Sequence, residues 1–125
     1  IDNDLALTDH TPGFGSAAKY IGTSLKEIIR DGFCLEYPNG LVTIVEIMGR
    51  NAGWLTGASV LSKSEDCEGP DMIYLPEVPF DIQNFKEKVE QLLTEKTSVV
   101  VAVSEGAVDA DTYGKFLEKY GVKQK

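Results

Sequence analysis

Apolar residues recur at intervals of three and four near the start of the chain, which is the spacing of one helix face. Between Thr11 and Arg30 they fall at Phe14, Ala17, Ala18, Ile21, Leu25, Ile28 and Ile29. Thr11 followed by Pro12 predicts the start of this helix, because an N-cap followed by proline is typical of a first helical turn. Asp31 and Gly32 predict its end, with the glycine as a left-handed cap.

Short runs rich in β-branched residues follow this helix, and they predict strands. The first covers 41–47, after the turn sequence Pro38-Asn39-Gly40. We expect this strand to be buried on both faces, because its apolar run is nearly continuous. Further strands are predicted at 72–75 and at 98–103.

Helical patterns separate and follow these strands. One helix is predicted at 53–62 and another at 109–120. Between them, Asp81 is a suitable N-cap for a helix with one apolar face, formed by Ile82, Phe85, Val89, Leu92 and Leu93. The alternation predicts an α/β fold with three layers, in which helices cover both faces of a mainly parallel sheet. We expect residues 1–125 to form a single domain.

Composition and charge narrow the classes of function. The chain has 125 residues, of which 42% are hydrophobic, as in an ordinary globular domain. Its 20 acidic and 12 basic residues give a net charge of −8, which argues against binding to nucleic acid or to an anionic membrane. The longest apolar run, 99–103, is far shorter than a membrane helix. Cys34 and Cys67 lack metal-ligand spacing and favour a reducing compartment, so a cytoplasmic location is predicted.

The ends of the two longer predicted strands carry charged residues beside glycines. In a parallel α/β sheet, ligands bind outside the carboxyl ends of the strands. Arg50, in the run 48–53, is suited to bidentate contact with phosphate, or it is a strand cap in a surface ion pair. Glu105, followed by Gly106, can accept hydrogen bonds from the hydroxyls of a polyol, or it is a solvated acid.

The acidic turn at the start of the chain is a candidate for acid–base chemistry. Asp2 and Asp4 suit a general base and a second acid that binds magnesium or orients the base, and the alternative is a turn rich in Asx hydrogen bonds. An EF-hand calcium loop is excluded, because Leu7 stands where glycine is required. His10 is the only histidine, and no serine lies in a Gly-x-Ser-x-Gly motif, so a hydrolase triad is not predicted.

Several ordered motifs resemble those of the phosphofructokinase family. Ile1-Asp2-Asn3-Asp4 is similar to the end of the family's Thr-Ile-Asp-Asn-Asp motif, and 8–14 is similar to the segment after it. The run 45–55, which contains Met48-Gly49-Arg50, matches the Met-Gly-Arg region. The runs 75–80 and 103–106 follow at the expected spacing. The resemblance covers essentially the whole chain.

The resemblance implies catalytic roles for three residues. Asp2 corresponds to the base that takes the proton from the 1-hydroxyl of fructose 6-phosphate. Asp4 corresponds to the second acid, expected near Mg²⁺ and the transferred phosphoryl group. Arg50 is expected to stabilise that group, because phosphoryl transfer depends on positioning and on charge neutralisation.

The resemblance also implies a substrate site and the partners of the parent enzyme. The expected contacts to fructose 6-phosphate are Ile1, Asp2, Met48, Gly49, Arg50 and Glu105. The chain is interpreted as the substrate-binding lobe of a larger protein, with residues 1–10 as the catalytic Asp loop at the lobe junction. Most of the phosphoryl-donor site, for pyrophosphate or ATP, would lie in the other lobe, so the lobe by itself is expected to be inactive. The parent is expected to be a glycolytic homo-oligomer, either a dimer or a tetramer.

Departures from the bacterial ATP-dependent members bear on the donor and on regulation. Leu41 stands where those enzymes carry an arginine that reaches into a neighbouring site. Residues 62–70 look longer than in those enzymes, which argues against nucleotide regulation. The segment 8–20 leans toward pyrophosphate-dependent members. A non-catalytic module that binds sugar phosphate or serves in assembly is the alternative function, and it predicts the same fold.

Overall fold

The computed structural model describes residues 5–109, 111–112 and 115. Its elements, in chain order, are α1 (Phe14–Phe33), β1 (Leu41–Ile47), α2 (Trp54–Gly57), a 3₁₀ helix (Ala58–Ser62), β2 (Met72–Tyr74), α3 (Ile82–Glu95) and β3 (Ser98–Ser104). The predicted site residues Ile1, Asp2 and Asp4 lie outside the described residues, as does most of the predicted helix 109–120.

The three strands form one parallel sheet in the order β1-β3-β2. Consecutive parallel strands need a crossover connection, and helices provide it here, so the predicted parallel α/β architecture is confirmed. The central strand β3 is almost fully buried, with Val99 and Ala102 at 0% exposure. The sheet register pairs Leu41 with Ser98 and Ile47 with Ser104. It therefore aligns the carboxyl ends of β1 and β3.

Helices pack on both faces of the sheet, as predicted. On one face, Leu25 and Ile29 of α1 pack with Val100 of β3. Alternate strand residues point to opposite faces, so Tyr74 of β2 lies on the other face, and its ring meets that of Phe85 in α3 with the centroids 5.9 Å apart. The sheet is therefore the middle layer of three.

The prediction that β1 is buried on both faces was wrong. Its residues alternate between half-buried and exposed, and Val42 and Ile44 are 37% and 57% exposed. Helix α1 covers the face that carries Val45 and Ile47. On the opposite face, α3 packs against β3, and within the described part of the chain Val42 and Ile44 of β1 stay exposed.

Both predicted ends of the first helix were also wrong. Phe14 N–H donates to the Thr11 carbonyl at 3.1 Å, and Gly13 has a φ of 89°. Pro12 and Gly13 therefore occupy the central positions of a type II β-turn, which favours proline and then glycine. Helix α1 starts only after this turn.

At its other end, α1 continues through Gly32 to Phe33, and the cap residue Cys34 has the right-handed φ of −84°. A Cβ at Gly32 would lie 2.6 Å from the Ser98 hydroxyl oxygen. Glycine is needed at position 32 because the helix passes close to β3, and not because the chain turns there.

The other local predictions that fall on described residues agree with the structure in part. The Asp81 carboxylate accepts hydrogen bonds from the backbone N–H groups of Gln83 and Asn84 at 2.9 and 3.1 Å, which confirms it as the N-cap of α3. The predicted helix 53–62 is divided into α2 and the 3₁₀ helix. None of the described helices is long and apolar enough to cross a membrane.

Candidate functional site

The carboxyl ends of β1 and β3 meet directly, as the sequence predicted. The loop 48–53 follows β1, and Glu105 follows β3. Glu105 N–H donates to the Ile47 carbonyl at 3.1 Å, and its carboxylate accepts from Gly49 N–H at 3.3 Å. The structure therefore brings together two of the predicted substrate-binding residues, Gly49 and Glu105.

The close approach of the two strand ends depends on two glycines. Gly49 has a φ of 147°, and a Cβ there would lie 2.5 Å from the Ala52 carbonyl oxygen. A Cβ at Gly106 would overlap with the Arg50 carbonyl oxygen. Both positions therefore need glycine, which lets the backbones on either side of the site pass within contact distance.

A chain of buried hydroxyl groups holds the same loop from below. The Ser104 hydroxyl donates to the Gly49 carbonyl at 2.7 Å, and it accepts from the Thr56 hydroxyl at 3.0 Å. Ser104 and Thr56 are 2% and 0% exposed. At the far end of the loop, Gly53 N–H donates to the Glu77 carboxylate at 2.8 Å. Loop 48–53 is therefore fixed at both ends.

The sequence analysis did not select Ser104, Thr56 or Glu77 as site residues. One signal was present, because Ser104 is a polar residue at the end of an otherwise apolar strand. Thr56 and Glu77 carry no comparable signal in the sequence.

The charged side chains at this edge face solvent. Arg50 and Glu105 are exposed, and Met48 is 64% exposed. Within the described part of the chain, Arg50 forms no ion pair. Arg50 and Glu105 thus extend exposed side chains from two backbone segments that hydrogen bonds hold against each other. This arrangement suits a ligand that carries both an anionic group and hydroxyl groups.

A cleft of about 400 Å³ opens beside the loop. It is lined by Leu5, Thr8, Asp9, His10, Thr11, Phe14, Gly15 and Trp54. Leu5 directly follows the predicted Asp2 and Asp4 turn, and Trp54 directly follows loop 48–53. The cleft therefore joins the chain segment after the acidic turn to the end of the candidate site.

The described residues do not make a complete metal site. Across 5–109, 111–112 and 115 there is no group of three or more His, Cys, Asp or Glu side chains placed to hold a metal ion. The tentative metal ligand Asp4 lies outside this part of the chain. Any magnesium ion at this edge would therefore need ligands beyond the residues described.

Asp109, which follows the candidate site along the chain, has a shifted pKa. The backbone N–H and the hydroxyl of Thr112 donate to its carboxylate at 2.9 and 3.0 Å. These hydrogen bonds lower the pKa of Asp109 below its ordinary value. Its carboxylate is thereby kept ionised where the chain leaves the site.

The model of the family described as phosphofructokinase matches residues 1–125. The chain belongs to the phosphofructokinase family. This confirms the resemblance inferred from the motifs.

Curated relatives of this phosphofructokinase-family chain act with different donors. It is 45% identical over 121 residues to pyrophosphate–fructose 6-phosphate 1-phosphotransferase of Xanthomonas campestris pv. campestris, covering 97% of this chain and 28% of that protein. It is 36% identical over 112 residues to ATP-dependent 6-phosphofructokinase 2 of Clostridium perfringens, covering 89% of this chain and 28% of that protein. The chain therefore spans little more than a quarter of the length of these relatives.

Solved structures support the same fold. The pyrophosphate-dependent phosphofructokinase of Nitrosospira multiformis matches with a TM-score of 0.75 and 36% identity, over 98% of this chain and 33% of that one. The enzyme of the same description from Marinobacter aquaeolei matches with a TM-score of 0.74 and 38% identity, over 92% of this chain and 31% of that one. The α/β fold inferred from the sequence is thus shared with these phosphofructokinases.

Proposed function

We propose that this chain is the substrate-binding lobe of a longer phosphofructokinase. The parent transfers a phosphoryl group from pyrophosphate or ATP to the 1-hydroxyl of fructose 6-phosphate. The observation that carries the proposal is the junction of Gly49 with Glu105, which holds an exposed guanidinium and an exposed carboxylate at one sheet edge. Relatives that span the same region carry this activity in their names.

In the proposed reaction, the 1-hydroxyl oxygen attacks the terminal phosphorus of the donor. The bond from that phosphorus to the bridging oxygen breaks, and the leaving group, phosphate from pyrophosphate or ADP from ATP, keeps the electron pair. Asp2 accepts the proton of the attacking hydroxyl. Arg50 stabilises the charge on the transferred group, while Glu105 and the backbone at Met48 and Gly49 hold the sugar phosphate together with Ile1 and Asp2.

The proposal includes Asp4 as a ligand of Mg²⁺. Bound Mg²⁺ would neutralise part of the negative charge of the phosphoryl donor. Since the described residues form no metal site of their own, the steps above rest only on side chains and backbone of this chain.

Pyrophosphate is the favoured donor. Relatives from Xanthomonas campestris, Rhodospirillum rubrum, Halomonas elongata and Methylococcus capsulatus all carry the name pyrophosphate–fructose 6-phosphate 1-phosphotransferase. We further propose a glycolytic role in the cytoplasm and a homo-oligomeric parent, whose donor site lies mainly outside residues 1–125.

Replacing Asp2 in the full-length parent tests the function. Asp2→Ser should lower kcat by about 10³ and leave the affinity for fructose 6-phosphate nearly unchanged, because general-base catalysis is worth about 10²–10⁴. The measurement is steady-state turnover with pyrophosphate and, separately, with ATP, combined with calorimetric binding of the sugar phosphate. Asp31→Ser, which removes an exposed acid late in α1, is the matched control and should keep normal turnover.

Near-normal turnover of Asp2→Ser would show that the base assignment is wrong. A wild-type parent that binds fructose 6-phosphate but transfers no phosphoryl group from either donor would favour the alternative, a non-catalytic sugar-phosphate-binding or assembly module.

A further inference from the structure

We propose that Ser104 and Thr56 act as positioning residues for the substrate loop. The hydroxyl relay is the pair of hydrogen bonds that runs from the Thr56 hydroxyl to Ser104 and from the Ser104 hydroxyl to the Gly49 carbonyl. Its role is to set the direction in which Arg50 leaves the loop. The inference rests on the proposed sugar-phosphate site and adds the residues that hold its geometry.

The direction of the hydrogen bonds in the relay follows from the burial of its members. A buried hydroxyl is costly unless its hydrogen bonds are made, and Ser104 and Thr56 are 2% and 0% exposed. Since the Gly49 carbonyl can only accept, the Ser104 hydroxyl donates to it, and the Thr56 hydroxyl donates in turn to the Ser104 oxygen. Hydrogen bonds linked in this way strengthen each other in a low-dielectric interior.

Gly49 needs this external support because glycine has little conformational preference of its own. Its N–H donates to the Glu105 carboxylate at 3.3 Å. Its carbonyl accepts from Ser104 at 2.7 Å and from Gly106 N–H at 3.3 Å. The Ser104 contact is the shortest of the three, so its removal leaves the peptide before Arg50 held only by a long hydrogen bond.

The relay holds Gly49, one of the predicted sugar-phosphate contacts, whereas most of the donor site is proposed to lie outside residues 1–125. Loss of the relay should therefore weaken binding of one substrate selectively. A small misplacement of catalytic groups can cost up to about 10²-fold in rate. A purely structural pair of hydroxyls would instead lower stability without distinguishing the two substrates.

The experiment uses single and double variants of the full-length parent. Ser104→Ala should raise the KM for fructose 6-phosphate about tenfold, lower kcat because Arg50 is misplaced, and leave the KM for the donor within about twofold. Thr56→Val should have a smaller effect of the same kind, because the Ser104 hydroxyl remains. Thr56→Ser keeps the hydroxyl and should leave the sugar-phosphate KM at the wild-type value.

The double variant Thr56→Val with Ser104→Ala separates positioning from stability. Removing both partners leaves no unpaired hydroxyl, and such replacements are nearly neutral for stability. Positioning predicts that the thermal midpoint recovers while the KM for fructose 6-phosphate stays high. Recovery of both together would overturn the inference and leave the relay as a structural contact only.

Amide hydrogen exchange across residues 49–53 gives a readout that does not depend on activity. Exchange there should be faster in Ser104→Ala and in the double variant than in the wild type. If the parent transfers no phosphoryl group, the proposed function fails and this exchange still decides the relay. Unchanged exchange together with an unchanged sugar-phosphate KM would overturn the relay and leave the proposed function standing.

Discussion

Polar groups play opposite roles at the two ends of the parallel strands, which we call the carboxyl edge and the amino edge of the sheet. At the carboxyl edge, buried hydroxyls and backbone N–H groups fix loop 48–53, and the charges of Arg50 and Glu105 face solvent. At the amino edge, the charges are paired with each other. Lys96 Nζ lies 2.6 Å from the Asp71 carboxylate, which also accepts from Val100 N–H at 2.8 Å.

The ion pair at the amino edge is only partly accessible to solvent. The side chains of Asp71 and Lys96 are 11% and 22% exposed. Burial by itself lowers the pKa of Lys96, but the hydrogen bonds and charges of Asp71 and Glu68 together outweigh it and raise the pKa above its ordinary value. The ion pair of Asp71 with Lys96 therefore joins the segments before β2 and β3. The charges of Arg50 and Glu105 at the carboxyl edge remain available to a ligand.

Removing the exposed charge at the carboxyl edge should give the largest effect on activity. We expect Arg50→Met in the full-length parent to lower kcat/KM by about 10³, the lower end of the range for an arginine at a transferred phosphoryl group. Since Arg50 has no ion pair in the described part of the chain, the thermal midpoint should hardly change. Steady-state kinetics and a melting curve on the same sample check both expectations.

Arg50→Lys is the matched control, because it keeps the charge and loses the planar fork. Its activity should fall between that of the wild type and that of Arg50→Met. A large drop in the melting temperature of Arg50→Met would contradict the contrast between the two edges.

Removing a charge at the amino edge should affect stability and leave kinetics alone. Asp71→Asn keeps an oxygen for Val100 N–H but leaves the half-buried Lys96 with only Glu68, 3.6 Å away. We expect a loss of about 2 kcal/mol in the free energy of unfolding, within the range for hydrogen bonds to charged groups. Urea unfolding measures this loss, and the KM for either substrate should stay at the wild-type value.

Asp66→Asn is the control for Asp71→Asn on the surface of the molecule. Asp66 pairs with Lys26 and Arg30 and has a lowered pKa, mainly because Ser64 donates to it, but its side chain is 59% exposed. Solvent and salt screen such pairs, so its effect should be smaller and should shrink further at high salt. Equal effects of the two substitutions would mean that burial of the Asp71 pair contributes nothing.

The smallest expected effect is a change in stability at alkaline pH. Because the folded pKa of Lys96 is raised, its stabilisation is complete below the ordinary lysine value of about 10.4 and is lost as the pH rises through the higher folded value. Urea midpoints measured from pH 8 to 12 should fall more steeply in the wild type than in Lys96→Met. Parallel pH curves for the two proteins would show that the pair is not coupled to folding.

The sequence predicted the fold correctly where the deciding contacts join residues that are close together in the chain. Asp81 caps α3 through backbone groups two and three residues away, so its role needs no knowledge of the rest of the chain. Gly32 was misread because its role depends on Ser98, which the sequence does not place beside it. The exposure of Ile44 was missed for a similar reason, since a β-branched run does not reveal which strands and helices lie next to it.

The sequence predicted part of the candidate site. Glycines beside Arg50 and Glu105 at strand ends indicated where a ligand would meet the backbone, and the register of β1 and β3 brings those strand ends together. The contact of Thr56 with Ser104 joins residues 48 positions apart, so it emerges only from the packing of α2 against the sheet. The roles of Asp2 and Asp4 stay predictions.

Ser104, Glu105 and Gly106 all form hydrogen bonds with a single residue, Gly49. The last residue of β3 and the two residues after it hold both polar groups of that glycine, so neither strand can slide along the other without releasing the loop. A ligand that fixes loop 48–53 should therefore also resist sliding of β1 along β3.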